Sequence, residues 1–177
     1  MENFDNQIFL DSDGVLFDFD NQIFLDSDGV LFDFDNHTKK YTNGVHPSHI
    51  PDAELWKILN AVEDFWFTMP IFPWAVDLVN FVKTEFYHDP IVITGCPKSN
   101  FDFASEQKLK KYKHYFPGIH VITCLSKNKP IYMKKSNDVL LDDMRKNIKR
   151  WNSAGGKGIL FKNYEMAKED LLTLKVY

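Results

Sequence analysis

Short apolar runs alternate with segments of helical character along this chain. The apolar runs are bounded by glycine, proline or acidic residues and cover residues 22–26 (or their copy, 7–11), 90–95, 119–123, 138–143 and 158–161. Helices are predicted at 52–67, 73–86, 98–115, 147–151 and 164–174. Apolar runs of this length predict buried strands. Their alternation with helices predicts an α/β fold, with a parallel sheet covered on both faces.

A tandem repeat occupies the start of the chain, where residues 5–19 recur without a change as residues 20–34. Each copy holds one predicted strand and one acidic turn, so either could supply the first strand of the sheet. We expect the second copy to do so, because it leads directly into the following segment and no extra loop has to close. Residues 1–19 would then be an N-terminal extension that pairs with a sheet edge, covers the surface or mediates a homodimer.

Composition and charge narrow the class of protein. The 177 residues, 44% of them hydrophobic, predict one domain with a sizeable core. A net charge of −4 predicts no general attraction to nucleic acid or to an anionic membrane. The two cysteines, Cys96 and Cys124, are too few for a disulfide framework. No apolar run has membrane-spanning length and residues 1–9 lack a signal-peptide pattern, so we expect a reducing, cytoplasmic setting.

Acidic, hydroxyl and lysine side chains follow the predicted strands at the point where each strand ends. In chain order these positions are Asp26, Ser27, Asp28, Gly29, Thr94, Gly95, Ser126, Lys127, Lys129, Asp142 and Asp143. The carboxyl ends of parallel strands share one edge of a sheet, where ligands bind. Carboxylates held so close favour a hard cation, and oxygen ligands suit Mg²⁺. Lysine and threonine beside it suit a phosphoryl group, for which an aspartate can be the nucleophile and a second carboxyl the general acid.

Four short segments resemble the motifs of the haloacid dehalogenase superfamily of phosphohydrolases: DSDGV, VITG, SKNK and VLLDD, in this order and at these strand ends. Two flanking segments are further similar to the 5'(3')-deoxyribonucleotidase family: FWFTMPIFPWAVDLVNFV and KYKHYFPGIHVIT. The resemblance covers nearly all of the chain after residue 19. It implies a three-layer, Rossmann-like parallel sheet of strand order 5-4-1-2-3 within residues 20–177, with a small helical cap at 36–87 inserted after the first strand.

The resemblance also implies a function for each residue of the site. Asp26 would be the nucleophile and a magnesium ligand. Asp28 would be the general acid and base, and would lend its backbone carbonyl to the metal. Thr94 would bind phosphate, and Lys129 would neutralise the charge of the nucleophile and the phosphate. Asp142 and Asp143 would complete the magnesium shell.

The chain departs from the pattern of these families in two places. A small hydroxyl residue often follows the threonine of the second motif, and this chain has Gly95 there, which removes one expected contact to phosphate or sugar. The insertion at 36–87 is short for a nucleotidase cap and would enclose a substrate less. The lysine of the third motif has two candidates, Lys127 and Lys129, and the distance along the chain to Asp142 favours Lys129.

Several further residues have a structural and a functional interpretation. Phe65, Trp66 and Phe67 would be core residues, or, from their place in the cap, rings that stack on a nucleotide base. The remaining residues are expected to be structural: Asp33 and Asp35 as solvated carboxylates, His46 and His49 as loop residues, Cys96 as a packing residue, and 108–114 (KLKKYKH) as a solvated helix face.

The hypothesis is a magnesium-dependent phosphomonoesterase. As the resemblance implies, it would release phosphate from nucleoside monophosphates through an aspartyl-phosphate, like a 5'(3')-deoxyribonucleotidase. Within enzymes the alternative is a 3'-phosphatase acting on nucleic-acid ends, which an open rim would favour and the acidic net charge disfavours. Outside enzymes the alternative is a non-catalytic binding domain whose site the duplication has spoiled.

Overall fold

The second copy of the repeat supplies the central strand of the sheet. The structure, a computed structural model, describes residues 21–176. β1 (Ile23–Leu25) is fully buried and pairs in parallel with a strand on each side. The first copy, with Asp11 and Asp13, and the surface or dimer contacts expected of 1–19 lie outside the described residues.

Five parallel strands form the sheet in the order β3-β2-β1-β4-β5, which is the predicted order 5-4-1-2-3. The strands after β1 are β2 (Ile91–Gly95), β3 (His120–Cys124), β4 (Val139–Asp142) and β5 (Lys157–Leu160). β1, β2 and β4 are almost completely buried, as expected of strands covered on both faces. The predicted α/β fold class is confirmed.

Helices connect these strands. Their bounds are α1 (Phe34–Lys39), α2 (Asp52–Leu59), α3 (Phe65–Thr68), α4 (Ala75–Phe86), α5 (Phe101–Tyr115), α6 (Arg145–Ser153) and α7 (Tyr164–Thr173). Short 3-10 segments lie at Pro47–His49, Lys98–Asn100, Ser126–Tyr132 and Leu174–Val176. None of the helices within 21–176 has the length and apolar character needed to cross a membrane.

The helix predicted at 52–67 is interrupted, because α2 ends at Leu59 and α3 begins at Phe65. The Gln107 side chain of α5 holds the interruption in place. Its Oε1 accepts hydrogen bonds from the amides of Trp66 (3.0 Å) and Phe67 (3.1 Å), which a continuous helix would have used internally. This partner lies about 40 residues away along the chain, so the apolar spacing of 52–67 could not reveal the break.

Each face of the sheet has its own hydrophobic cluster. Ile23 and Leu25 belong to the larger cluster, while Phe24 between them belongs to the smaller one, as the alternation of a strand requires. Residues of α4, α5 and α7 contribute to the larger cluster, and Trp151 of α6 contributes to the smaller. The sheet is therefore the middle of three layers.

The segment between β1 and α4 belongs to the larger cluster too. Leu59 and Phe65, both within the predicted cap at 36–87, are buried in the same cluster as Leu25 of the sheet. The division into a core domain at 20–177 and a cap at 36–87 remains a prediction.

Candidate active site

The turn after β1 lies against the turn after β4. The Asp26 amide donates a hydrogen bond to the Leu141 carbonyl at 2.9 Å. Gly29 has a φ of 83°, in the left-handed region that favours glycine, and a Cβ at this position would overlap the Asp143 carboxylate. Glycine at position 29 therefore allows the acidic turn of β1 and the aspartate pair after β4 to be in contact.

A buried lysine joins these two turns. Lys129 lies in the 3-10 segment after β3 and is 1% exposed. Its Nζ is 2.8 Å from Asp26 Oδ1 and 2.6 Å from Asp142 Oδ2. Burial lowers the pKa of Lys129, but the two carboxylates raise it more strongly, so that it lies above its ordinary value. Lys127 is exposed and has no ion pair with any described residue, so Lys129 is the lysine of this site.

Three aspartates at this edge could hold a metal ion. One carboxylate oxygen from each of Asp26, Asp142 and Asp143 lies within 4.8 Å of the others. Burial and the neighbouring Asp142 raise the pKa of Asp26 well above its usual range. Burial and Asp142 also raise the pKa of Asp143, to about 7. The residue as a whole is exposed, but its carboxylate lies against Gly29. Three oxygen donors that repel one another fit a hard divalent cation such as Mg²⁺.

The three aspartates differ in how far protein donors engage them. Both oxygens of Asp142 accept hydrogen bonds, from Lys129 Nζ, Asn147 Nδ2 and the Met144 amide. Asp26 Oδ1 accepts from Lys129 and from the Ser27 amide at 2.7 Å. Among residues 21–176, no donor is bonded to Asp26 Oδ2 or to the Asp143 carboxylate. These oxygens are the ones open to a metal ion or a substrate.

A second buried lysine crosses from α5 to the ends of β1 and β2. Lys108 is 1% exposed. Its Nζ donates hydrogen bonds to Asp28 Oδ2 at 2.5 Å, to Thr94 Oγ1 at 2.8 Å and to the Gly95 carbonyl at 2.8 Å. Three acceptors use all the donors of an ammonium group, so this lysine fixes the position of the Asp28 carboxylate relative to β2.

The expectation that 108–114 is a solvated helix face is wrong for two of its lysines. Lys108 and Lys111 are each 1% exposed, because they share the inner face of α5 with Ala104 and Tyr112. Lys113 is exposed, as expected. In the sequence, Ala104 and Tyr112 stand at helical spacing around the two lysines. This pattern could have identified the inner face of the helix.

Lys111 is buried, and no carboxylate within residues 21–176 forms an ion pair with it. Its Nζ donates to the Trp66 carbonyl at 3.1 Å and lies 3.9 Å from the centre of the Phe32 ring. Burial lowers the pKa of Lys111 to about 7, although Asp28 opposes the shift.

An open cavity of about 430 Å³ lies over the aspartates. Asp26, Asp28 and Asp143 line it, together with three aromatic side chains: Phe34, Trp56 and Trp66. Phe34 and Trp56 each stack on Trp66, with ring centres 6.0 Å and 6.3 Å apart. We call these three rings the aromatic wall. Gly95 and Ser126 also line the cavity, whereas Thr94 is 0% exposed and does not.

The structure separates the three aromatic residues expected in the cap. Trp66 is in the aromatic wall, Phe65 is fully buried in the core, and Phe67 is half-buried and does not line the cavity. Sequence reasoning missed Phe34 and Trp56, which carry no motif and reach the site only by folding against Trp66.

Other polar residues of the site region form local pairs. His46 Nε2 lies 2.9 Å from Asp35 Oδ2, and both residues line the cavity. Asp33 instead caps α1 by accepting a hydrogen bond from a backbone amide at 3.1 Å. Cys96 is buried at the cavity, and burial raises the pKa of its thiol to about 11, which suits a packing residue.

Comparisons with known proteins give likeness at the level of fold. No match is found among protein-family models or among curated proteins. Three hydrolases are among the solved structures that are similar to the chain. The first is a hydrolase from Streptococcus pneumoniae TIGR4, with a TM-score of 0.49 and 12% identity, covering 85% of this chain and 97% of that one.

The second is a HAD family hydrolase from Deinococcus radiodurans R1 with bound phosphate and sodium (TM-score 0.49, 11% identity, 85% and 87% covered). The third is a HAD hydrolase, family IA, variant 3 from Entamoeba histolytica HM-1:IMSS (TM-score 0.45, 14% identity, 80% and 83% covered). Similarity at this level assigns no function.

Proposed function

We propose that this chain is a magnesium-dependent phosphomonoesterase of the haloacid dehalogenase type. The observation that supports this most is Lys129, buried between Asp26 and Asp142 with Asp143 beside them. Burial and Asp142 raise the pKa of Asp26, and a protonated lysine in that place opposes this rise and so favours the charged carboxylate. The lysine also brings positive charge to the position where a phosphoryl group would approach.

Asp26 is the proposed nucleophile. Its Oδ1 is bonded to Lys129 and to the Ser27 amide, which leaves Oδ2 to attack the phosphorus atom. The P–O bond to the leaving group then breaks, and the phosphoryl group stays on Asp26 until water removes it. Asp26, Asp142 and Asp143 would hold Mg²⁺, which when bound neutralises charge on the phosphoryl oxygens.

Asp28 is the proposed general acid and base. Lys108 holds its Oδ2, while its Oδ1 is buried and has no hydrogen-bond partner among residues 21–176. A buried carboxylate oxygen without a partner is costly, and a proton or a substrate atom would satisfy it. Oδ1 would protonate the leaving oxygen in the first step and take a proton from the attacking water in the second.

A nucleoside monophosphate is the proposed substrate. The aromatic wall stands on the same cavity as Asp26 and Asp28 and offers flat apolar surface to a base. Stacking on such a surface is worth about 1–3 kcal/mol per base. Asp35 and His46, also on the cavity, would supply hydrogen-bonding groups to the sugar or to the edge of the base.

Phosphate release from a panel of 5'- and 3'-nucleoside monophosphates, with Mg²⁺ or with a chelator, tests the proposal. We expect release that requires Mg²⁺ and is faster for one or more nucleotides than for glycerol phosphate, which has no ring. Turnover of a 3'-phosphorylated oligonucleotide in preference to the mononucleotides would favour the 3'-phosphatase alternative. A folded protein that binds nucleotide but releases no phosphate would favour the non-catalytic binding domain.

A further inference from the structure

The net charge of −4 conceals an uneven distribution along the chain. Between Asp143 and Glu165 there is no acidic residue, and six basic residues occur: Arg145, Lys146, Lys149, Arg150, Lys157 and Lys162. All are exposed except the half-buried Arg150. None of the six forms an ion pair with another residue of the described chain, 21–176. The α6–β5 region therefore presents positive charge to the solvent on a protein that is acidic elsewhere.

This surface carries a shallow depression that is open to solvent. A groove of about 510 Å³ runs between α6 and β5, lined by Arg145, Ile148, Lys149, Asn152, Ser153 and Leu160. Arg145 and Lys149 are four positions apart on the helix, hence about 6 Å apart along its axis and on one face. The groove adjoins the candidate active site, because Lys146, the neighbour of Arg145, lines the cavity over the aspartates.

We propose that the groove between α6 and β5, here called the basic groove, binds a single strand of nucleic acid. Arg145 and Lys149, about 6 Å apart along the helix axis, fit neighbouring phosphates of a strand, and the apolar Ile148 and Leu160 beside them would contact sugars or bases. The basic groove requires no turnover, so this proposal is independent of the proposed phosphatase activity.

Fluorescence anisotropy of a labelled single-stranded oligonucleotide without a terminal phosphate tests this surface. The test variant is Arg145→Glu/Lys149→Glu. The matched control is Lys110→Glu/Lys113→Glu, which reverses two exposed lysines on α5 and changes the net charge by the same amount. Wild-type and control proteins are expected to bind with affinity that falls with salt. The test variant should lose most binding, and the slope of log K against log salt should fall by about 1.4, since each lost contact to a single strand removes roughly 0.7.

Equal binding by the two double variants, or no binding by the wild-type protein at low salt, would overturn the proposal. So would stronger binding to vesicles containing anionic lipid that depends on the same two residues, because the ligand would then be a membrane. Hydrolysis of p-nitrophenyl phosphate should be unchanged in both double variants.

A different observation assigns a further residue to the site. Gly95 stands at the end of β2 on the cavity, and a Cβ at this position would overlap Ser126 Oγ. The Ser126 hydroxyl therefore fills the space that a side chain at 95 would occupy. It lines the cavity and has no hydrogen bond to any residue within 21–176, whereas the neighbouring Thr94 hydroxyl is buried and bonded to Lys108.

We infer that Ser126 supplies the hydroxyl that binds a phosphoryl oxygen, in place of a side chain at 95. This inference rests on the proposed function. Gly95 ends β2 and Ser126 begins the 3-10 segment after β3, so one hydroxyl at this point could be carried by either position but not by both. That reciprocity makes the inference testable by moving the hydroxyl from one backbone position to the other.

Three variants are compared with the wild type by kcat/KM for p-nitrophenyl phosphate: Ser126→Gly, Gly95→Ser and the double variant Gly95→Ser/Ser126→Gly. Loss of one hydrogen bond to a charged phosphate is expected to lower kcat/KM about 10- to 100-fold in Ser126→Gly. Gly95→Ser alone should also be impaired, because its Cβ overlaps Ser126. The double variant should recover most of the loss.

Calorimetric binding of inorganic phosphate with Mg²⁺ separates this inference from the proposed function, because it needs no turnover. Weaker phosphate binding by Ser126→Gly, restored in the double variant, supports the inference even if the protein is inactive. Wild-type kcat/KM and phosphate affinity in Ser126→Gly, or a double variant no better than Ser126→Gly, would overturn it. A wild-type protein that neither hydrolyses nor binds phosphate would remove the proposed function and this inference together.

Discussion

Replacement of Lys108 by methionine removes an ammonium group while it keeps most of the apolar side chain. The lost interactions are hydrogen bonds to Asp28 Oδ2, Thr94 Oγ1 and the Gly95 carbonyl. The Lys108 side chain is 2% exposed and that of Asp28 is 22% exposed, so solvent replaces the lost charge only in part. Breaking a buried ion pair by removing one partner costs about 3–5 kcal/mol, and the lower limit applies here because Asp28 reaches solvent.

The expected loss of stability is therefore about 3 kcal/mol. At roughly 2–4 °C per kcal/mol for a chain of this size, Tm should fall by about 6–12 °C. In activity, Asp28 would lose its fixed position, and kcat should fall toward the limit set by loss of general acid–base catalysis, about 10²–10⁴-fold. KM for p-nitrophenyl phosphate should change much less, because Lys108 itself does not line the cavity.

Steady-state kinetics at a temperature well below the lowered Tm, together with calorimetry, separates the two effects. Lys110→Met is the matched control, since Lys110 lies on the exposed side of the same helix. It should leave both kcat and Tm close to the wild-type values. A Lys108→Met protein that is destabilised but keeps its kcat would refute the positioning of Asp28 by this lysine.

Three further predictions concern the metal, the nucleotide base and the buried Lys111. Asp143→Asn should raise the Mg²⁺ concentration needed for activation at least roughly tenfold, the cost of losing an outer ligand contact, and high Mg²⁺ should partly recover activity. An unchanged Mg²⁺ titration would contradict the metal assignment. Trp56→Ala should raise KM for nucleoside monophosphates about tenfold or more and leave glycerol phosphate unaffected, whereas Phe67→Ala, outside the cavity, should change neither; equal effects on both substrates would argue against stacking. Lys111 has its pKa lowered from 10.5 to about 7 on folding, so the unfolded state binds more protons between these values and wild-type stability should rise with pH there. Lys111→Met lacks this dependence, so the stability of the variant minus that of the wild type should be larger at pH 6 than at pH 9. Urea unfolding at the two pH values measures this difference.

The strands and the acidic edge of the sheet could be predicted from the sequence, because each depends on a local pattern. The run at 90–95 is apolar between proline and glycine, and β2 occupies Ile91–Gly95. Asp26 and Asp142 directly follow such runs, and parallel strands bring their ends together whatever the connecting helices do.

The remaining features depend on contacts between distant segments. Lys108 is one of several lysines in a charged helix, and only the packing of α5 over β2 shows that it is the one at Asp28. Trp56 lies at the cavity stacked on Trp66, whose amide is held by Gln107 from a distant part of the chain. No local pattern could show that Ser126 fills the space beside Gly95, since Gly95 ends β2 and Ser126 follows β3, about 30 residues further along the chain.

The most direct test of the central claim is phosphate release by Asp26→Asn beside Asp11→Asn. These aspartates occupy the same position in the two copies of the repeat, so each variant makes the same chemical change in the same local sequence. With Mg²⁺ and p-nitrophenyl phosphate, Asp26→Asn should abolish turnover, because an amide cannot accept the phosphoryl group. Asp11→Asn, and a protein lacking residues 5–19, should remain active. Full activity in Asp26→Asn, with activity lost in Asp11→Asn, would contradict the assignment of the site to the second copy.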